Sequence, residues 1–421
     1  MITKFLRRKE IGSLSIKLRK NPTIFHYYNE IIRFWSKLNF VVSILLKGSN
    51  SYEVKNISKY LYAIYRILWE SATEKEIIKE IKKIDKKFLN KIKSFSWNKA
   101  LVQKNEIEKF SITESIPSFM IEKLLSVMRI DNLQENVRFM NRIDNKTEIT
   151  MRVNNFDKKL NTNELFSQIC ESLNKDQIEY RIDNDISQMF WIPLSQKNKV
   201  MINSFYQKHF LIFQDKASAT VVKTLSPEED ERVCDMCAAP GIKTSLIAQF
   251  MNNKGYILAG EFLFGRAKMM NNLLKQLNVL NVQLINTDSI IFPIRFQNYF
   301  DRVLLDAPCT GSGNLLANPE LKWRQNRKFL QQNLTLQKKL IENALKLLKP
   351  NGIFVYSTCS LYPEEGEYQI LDFLNHLIPL DLPEWVSPSY KINNNILPGT
   401  GRLFPSYHQT QGFFIGKFKK K

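Results

Sequence analysis

Two cysteines of this chain stand in nearly matched frames. The segments Leu304-Leu305-Asp306-Ala307-Pro308-Cys309-Thr310-Gly311-Ser312-Gly313 and Tyr356-Ser357-Thr358-Cys359-Ser360 each run from a short apolar stretch into a thiol flanked by small residues. An apolar stretch of that length has the shape of a buried strand in a parallel sheet. Ligands of open α/β sheets bind at the carboxyl ends of the strands, so both sulfurs are expected to face one crevice. A thiolate is a strong nucleophile, and covalent catalysis is the chemistry such a pair could do.

A second chemical segment, Cys237-Ala238-Ala239-Pro240-Gly241-Ile242-Lys243-Thr244, follows the apolar run Arg232-Val233-Cys234-Asp235-Met236 and opens a helix over 245–251. Small residues at a strand-to-helix turn let a ligand approach the backbone, and a helix amino end offers free N–H groups. The segment is neither a Walker loop nor Gly-x-Gly-x-x-Gly, so it suits a nucleotide-like cofactor without a strong phosphate requirement. Glu261 stands about twenty residues on, where an acid takes the ribose hydroxyls of an adenosine group. Asp288 follows the next strand, where it could reach the adenine amino group. With Asp306, three acids at consecutive strand ends point to a cofactor such as S-adenosyl-L-methionine rather than to three helix caps.

The elements that must position these residues form a doubly wound, mostly parallel sheet from about residue 206 onward. Its strands are expected at 232–236, 256–261, 282–286, 301–306 and 353–357, with a last one at 412–418. A helix marked by Leu330, Leu334, Ile341, Leu345 and Leu348 is expected to close at Pro350-Asn351-Gly352. Residues 141–205 read as a small α/β unit, RNA-facing or a brace, with strands at 148–154, 177–182 and 189–192 and a helix at 163–173. Residues 1–140 read as a helical bundle. There Ile57, Leu61, Ile64 and Leu68 share a face, and Ile77, Ile81, Ile84, Phe88 and Ile92 continue the period.

Charge is distributed unevenly. The net charge is +20, and the first hundred residues hold 22 Lys or Arg against 8 Asp or Glu, a surplus of 14. That surplus fits a platform for a phosphate backbone, with a solvated helix face as the plainer alternative. Phe25, Tyr27, Tyr28, Phe34 and Trp35 could stack on bases, although core packing is the commoner use of such residues. No apolar run approaches the roughly 18 residues of a membrane span, so no membrane partner is expected. No export signal is read at the amino terminus, and five scattered cysteines do not make a disulfide framework, so a cytoplasmic location is expected. Cys234 and Cys237 have Cys-x-x-Cys spacing but no second pair and no clustered histidines, so no metal is expected. Cys170 and Cys234 are read as small buried hydrophobes.

These residues resemble the Sun-type RNA cytosine-5 methyltransferases, closely over 205–421. The resemblance rests on Asp235-Met236-Cys237-Ala238-Ala239-Pro240-Gly241-x-Lys243-Thr244, Asp306-Ala307-Pro308-Cys309-x-Gly311-x-Gly313, Pro319-Glu320-Leu321-Lys322-Trp323, Ser357-Thr358-Cys359-Ser360 with Glu364-Glu365, and Arg402-x-x-Pro405 before Gly412-Phe413-Phe414. It extends loosely to Arg152-Val153-Asn154 and Gln214-Asp215. It implies a Rossmann-like class I methyltransferase domain that uses S-adenosyl-L-methionine to make 5-methylcytosine in rRNA or tRNA. Cys359 would attack carbon 6 of the base, Cys309 would assist release, and Asp306 and Lys243 would hold and polarise the ring. Cys237, Ala238, Ala239, Pro240, Gly241, Ile242, Lys243, Glu261, Arg266, Asp288 and Asp306 would hold the cofactor. The helical first 140 residues could correspond to a NusB-like RNA-binding extension, and a monomer is expected. Ile242 stands where the family usually has a second glycine, His209 replaces another, and 314–318 lacks the arginines common there. The alternative reading is a non-catalytic RNA-binding ribosome-assembly factor on the same fold.

Overall fold

The computed structural model describes residues 21–46, 54–81, 83–142, 147–156, 161–292 and 296–421. They form two units, Met1–Asn141 with Asn314–Arg327, and Arg142–Gly313 with Lys328–Lys421.

The first unit is helical, with helices Pro22–Arg33, Trp35–Leu45, Val54–Glu70, Glu74–Glu80, Lys86–Lys93, Trp97–Leu101, Glu106–Thr113, Ser118–Leu125 and Ile130–Asn141 among its described residues. The apolar run from Ile77 to Ile92 serves two helices rather than one. Thr73 and Glu76 form a capping box at the first, and the Asp85 side chain accepts from Lys87 N to start the second. Both helices still bury the expected face, since Ile77, Ile81, Phe88 and Ile92 join Leu38, Val41, Leu61 and Ile64 in one core. Of the aromatics read as possible stacking platforms, Tyr28 is buried, and Tyr27, Phe34 and Trp35 pack against that core or its edge. Phe25 is exposed.

The expectation of a catalytic domain unbroken from 206 to 421 is corrected by the segment Asn314–Arg327, which folds with the helices. Its short 3-10 turn Pro319–Arg324 brings Lys322 Nζ, fully buried, to donate to Arg33 O at 2.9 Å and to Asn141 Oδ1. Trp323 Nε1 donates to Ile32 O at 2.9 Å, and the Arg33 guanidinium donates to the carbonyls of Met140, Leu315 and Leu316. The last carbonyls of a helix have no partner within it, so Lys322 and Trp323 satisfy groups that helix Pro22–Arg33 leaves open.

Among its described residues the second unit contains three sheets, of which the least is the two-stranded pair Lys391–Ile392 with Asn395–Ile396 and the other two position the site. The smaller of those two is antiparallel, in the order β2-β3-β1-β4, with β1 Glu148–Val153, β2 Arg181–Ile182, β3 Met189–Pro193 and β4 Leu211–Phe213. The strand expected over 177–182 is therefore only two residues long, and the expected boundary at 205 falls too early, because β4 pairs with β1. Helix Thr162–Lys175, capped by Asn161, covers one face through Leu165, Ile169 and Leu173. His209 adopts φ +64°, the left-handed region that favours glycine.

The larger sheet contains β5 Arg232–Asp235, β6 Tyr256–Glu261, β7 Val282–Asn286, β8 Phe300–Asp306 and β9 Leu348–Thr358, then β10 Leu377–Pro379, β11 Ser387–Pro388, β12 Thr400–Leu403 and β13 Phe413–Lys420. The order is β11-β12-β13-β9-β8-β5-β6-β7, with β10 also on β13; β5 to β9 are mutually parallel and β13 is antiparallel to β9. Helix Arg327–Leu347 ends directly at β9, earlier than the Pro-Asn-Gly stop. Alternation along the central strands builds two cores: Cys234, Val303, Leu305 and Tyr356 face one, while Val233, Leu304 and Val355 face the other. Burial on both faces is why these segments read as continuous apolar runs. Strand order reverses at β5, so the crevice opens at the carboxyl ends of β5 and β8.

Candidate active site

Parallel pairing of β8 with β9 sets Asp306 opposite Ser357, so both chemical segments leave the sheet at the same rim. Ser357 Oγ donates to Asp306 Oδ1 at 2.8 Å. Three residues past Asp306 and two past Ser357, the chains converge, and Cys309 Sγ lies 3.3 Å from Cys359 Sγ with both cysteines half-buried. Neither sulfur is walled into the interior. The contact with Cys359, together with burial, holds the Cys309 thiol well above its ordinary value, which favours its thiol form.

Two glycines make this convergence possible. Gly313 N donates to Cys359 O at 3.0 Å and Gly412 N to Gly313 O at 2.9 Å. A Cβ on Gly313 would lie 2.1 Å from Gly412 O, so no side chain fits.

Lys243, in the first turn of helix Ile242–Phe250, reaches Asp306 Oδ2 at 2.7 Å and lies over the Phe413 ring at 5.6 Å. Burial alone would lower its pKa, but Asp306, with Cys359 and Asp235 nearby, outweighs burial and raises it. The ammonium is thus a fixed positive charge beside both Asp306 and Cys359.

At the cofactor turn Gly241 has φ +100°, and a Cβ there would meet Met270 Cγ at 2.9 Å. Ile242 is simply the first helical residue, a position that does not need the family's usual glycine. The turn is held by Ala238 N donating to Gly260 O at 2.9 Å and Arg266 Nη2 donating to Ala239 O at 2.7 Å. Glu261 is buried, accepts from Leu263 N at 2.8 Å, and pairs with Arg266 at 3.4 Å. Asp288 Oδ1 accepts from Ile290 N at 3.0 Å, so it serves as the cap of a short turn, with its other oxygen outside that bond. Cys237 lies in the turn with its thiol pushed up by burial and neighbouring carboxylates. Asp235, at the end of β5, accepts from Thr244 Oγ1 at 2.7 Å; burial pushes its carboxyl up to about 6. An open backbone cradle, a buried acid at the next strand end and a second acid beyond it fit an adenosyl group.

Other residues named in the sequence brace this rim. Arg152, fully buried, donates to Gln214 Oε1, to Gln249 Oε1 at 2.7 Å and to Ser245 Oγ at 2.8 Å, tying the small sheet to the helix that carries Lys243. Arg402 forms a fully buried pair with Glu367 at 2.6 Å and donates to Ser360 O at 2.9 Å and Tyr362 O at 3.2 Å, pinning the chain just past Cys359. Cys234 is fully buried and Cys170 half-buried, away from the pair. Ser357, Thr310 and Gln337 are site residues that the spacing of the sequence did not single out. Among the described residues no cluster of three or more His, Cys, Asp or Glu could hold a metal, and no helix is long and apolar enough to cross a membrane.

Comparison with known proteins accords with this geometry. The family described as 16S rRNA methyltransferase RsmB/F matches residues 222–419. The 28S rRNA (cytosine-C(5))-methyltransferase of Mus musculus is 38% identical over 224 residues, 50% of this chain and 28% of the relative. The probable ribosomal RNA small subunit methyltransferase B of Synechocystis sp. is 36% identical over 213 residues, 49% of this chain and 47% of the relative. The chain thus spans about half the length, or less, of these relatives. The crystal structure of PH0851 matches 95% of this chain and 90% of its own, with a TM-score of 0.77 and 27% identity.

Proposed function

We propose that this chain, whose residues 222–419 match the 16S rRNA methyltransferase RsmB/F family, methylates carbon 5 of a cytosine in ribosomal RNA, through a transient bond between Cys359 and the base. The observation that carries the reading is the 3.3 Å approach of the two sulfurs at a rim shared with an adenosyl-type turn. The names of the curated relatives support ribosomal RNA and carbon 5.

S-adenosyl-L-methionine, when bound, supplies an electrophilic methyl group on a sulfonium. Glu261 is the acceptor for its ribose and Asp288 for its adenine edge, while the backbone of 237–242 lets it lie close. Carbon 5 of cytosine is a weak nucleophile until a thiolate adds at carbon 6. Cys359 makes that bond, with the Lys243 ammonium stabilising negative charge nearby. As the thiolate adds, charge builds on the ring nitrogen and carbonyl edge. Asp306, fixed by Ser357 and Lys243, is positioned to accept from the exocyclic amino group beside that edge, while the Lys243 ammonium offsets the developing charge. The carbon 5 proton then passes to water, its electron pair re-forms the 5,6 double bond as the Cys359 thiolate leaves, and the Cys309 thiol, 3.3 Å away, donates a hydrogen bond to the departing sulfur.

Incubation with S-adenosyl-L-methionine and ribosomal RNA, followed by nuclease digestion and mass analysis, is expected to yield 5-methylcytidine. Cys359→Ala should yield none. A thermal shift with S-adenosylhomocysteine at about a hundred times its dissociation constant should add roughly 2.7 kcal/mol. Cofactor binding without methyl transfer to ribosomal or transfer RNA would overturn the reading in favour of a binding protein.

A further inference from the structure

Glu365 carries none of the roles above, yet it is completely buried at the point where the two thiol-bearing segments meet. Its side chain belongs to the Cys309 segment. Thr310 N donates to Oε1 at 2.9 Å and to Oε2 at 3.2 Å, and Thr310 Oγ1 donates to Oε2. Gln337 Nε2 bridges Oε1 at 3.0 Å and Pro308 O at 2.8 Å, so the residues on both sides of Cys309 are held by one carboxylate and one amide. Its backbone carbonyl belongs to the Cys359 segment, accepting from Tyr356 Oη at 2.8 Å and Thr358 Oγ1 at 3.2 Å. One residue thus ties the loop bearing the first sulfur to the strand end bearing the second.

We infer that Glu365 is a positioning residue that sets the separation of the Cys309 and Cys359 sulfurs. The geometric claim stands alone; its consequence for release of product rests on the proposed function. A carboxylate is required because the groups facing it are donors: the N–H and hydroxyl of Thr310, the Gln337 amide and the Ser360 hydroxyl. Glutamine has the same shape but turns one acceptor oxygen into a donor, which would face Thr310 or Gln337 and push the loop away. Burial raises the Glu365 carboxyl, while the hydrogen bonds from Ser360, Thr310 and Gln337 pull the other way.

Phenylarsine oxide reads the separation directly. Two adjacent thiols form two arsenic–sulfur bonds, and the arsenical oxygen leaves with both thiol protons as water. The 421-residue chain is expected to bind one equivalent at this pair, located by peptide mass mapping, and to lose it in Cys309→Ala and in Cys359→Ala. Glu365→Gln should weaken that binding by about tenfold or more, on the scale expected when a reacting group is displaced by an ångström or so. Thr310→Val keeps the N–H and the shape but removes one donor, and should give a smaller loss, so the test survives if Glu365→Gln does not fold. Wild-type arsenical affinity in a folded Glu365→Gln and in Thr310→Val would overturn the inference.

A second readout concerns the reaction. Glu365→Gln should accumulate RNA-linked protein as Cys309→Ala does, with RNA affinity unchanged, because the release thiol is displaced. Accumulation in Cys309→Ala but not in Glu365→Gln would overturn the positioning role. Absence of linked RNA in every variant, with the arsenical result intact, would count against the proposed function and leave the positioning role standing.

Discussion

Lys322 of the helical unit and Lys243 of the second unit are both shielded lysines, and both lie in the segments that carry the family resemblance. Their environments are opposite. Lys322 is fully buried, donates to a backbone carbonyl and an asparagine oxygen, and shares its surroundings with Arg33; burial and that neighbour push it well below its ordinary value. Lys243 keeps some exposure and ends on Asp306, which outweighs burial and raises it. The first lysine closes the end of a helix, and the second is a permanent charge beside a thiol. The difference teaches that a motif does not define a residue's work: the partner atom decides whether a lysine is a fastener or an electrostatic tool.

The largest effect that separates them is on methyl transfer. Lys243→Met should lower it by about 10²–10⁴-fold in a steady-state assay, while the denaturation curve of the helical unit stays in place. Lys322→Met should do the reverse. It leaves Arg33 O and Asn141 Oδ1 buried without their donor and should destabilise the helical unit by about 2–4 kcal/mol in urea, with cofactor affinity retained. Loss of methyl transfer in a fully stable Lys322→Met would break the comparison.

A smaller effect appears with pH. A lysine whose pKa is depressed by folding binds its proton less tightly than the unfolded chain does. The helical unit should therefore gain stability as pH rises from the folded value of Lys322 toward 10.5, and that slope should vanish in Lys322→Met. Lys243 is raised, so its contribution is present below 10.5 and lost only above it. Asp235 is raised to about 6 from 3.8, so its contribution is present below 3.8 and lost as pH climbs through about 6. Urea titrations across pH 4 to 10, with Asp235→Asn as the reference in the second unit, check the signs for Lys322 and Asp235, and no slope from Lys243 is expected in that range.

The parallel core was legible because its strands are covered on both faces and so read as unbroken apolar runs. The helical bundle was legible too, but Ile77 to Ile92 concealed a break, since the apolar period persists while the chain restarts at Asp85. The interruption at Asn314–Arg327 had no periodic marker; its allegiance depends on Arg33, Lys322 and Trp323 finding carbonyls far away in sequence. At the site, Cys309, Cys359, Asp306 and Lys243 were named from framing and resemblance, and the structure brings them together. Glu365 was visible only as part of a quoted motif, because its work is shared among Thr310, Gln337, Tyr356 and Thr358, and no local spacing encodes that.

The central claim is that Cys359 forms the bond to the base and Cys309 breaks it. RNA containing 5-fluorocytidine, incubated with S-adenosyl-L-methionine and each protein, then resolved under denaturing conditions, tests it most directly. The account predicts a covalent complex with the unaltered chain and with Cys309→Ala, and none with Cys359→Ala. A complex that persists in Cys359→Ala and disappears in Cys309→Ala would contradict it.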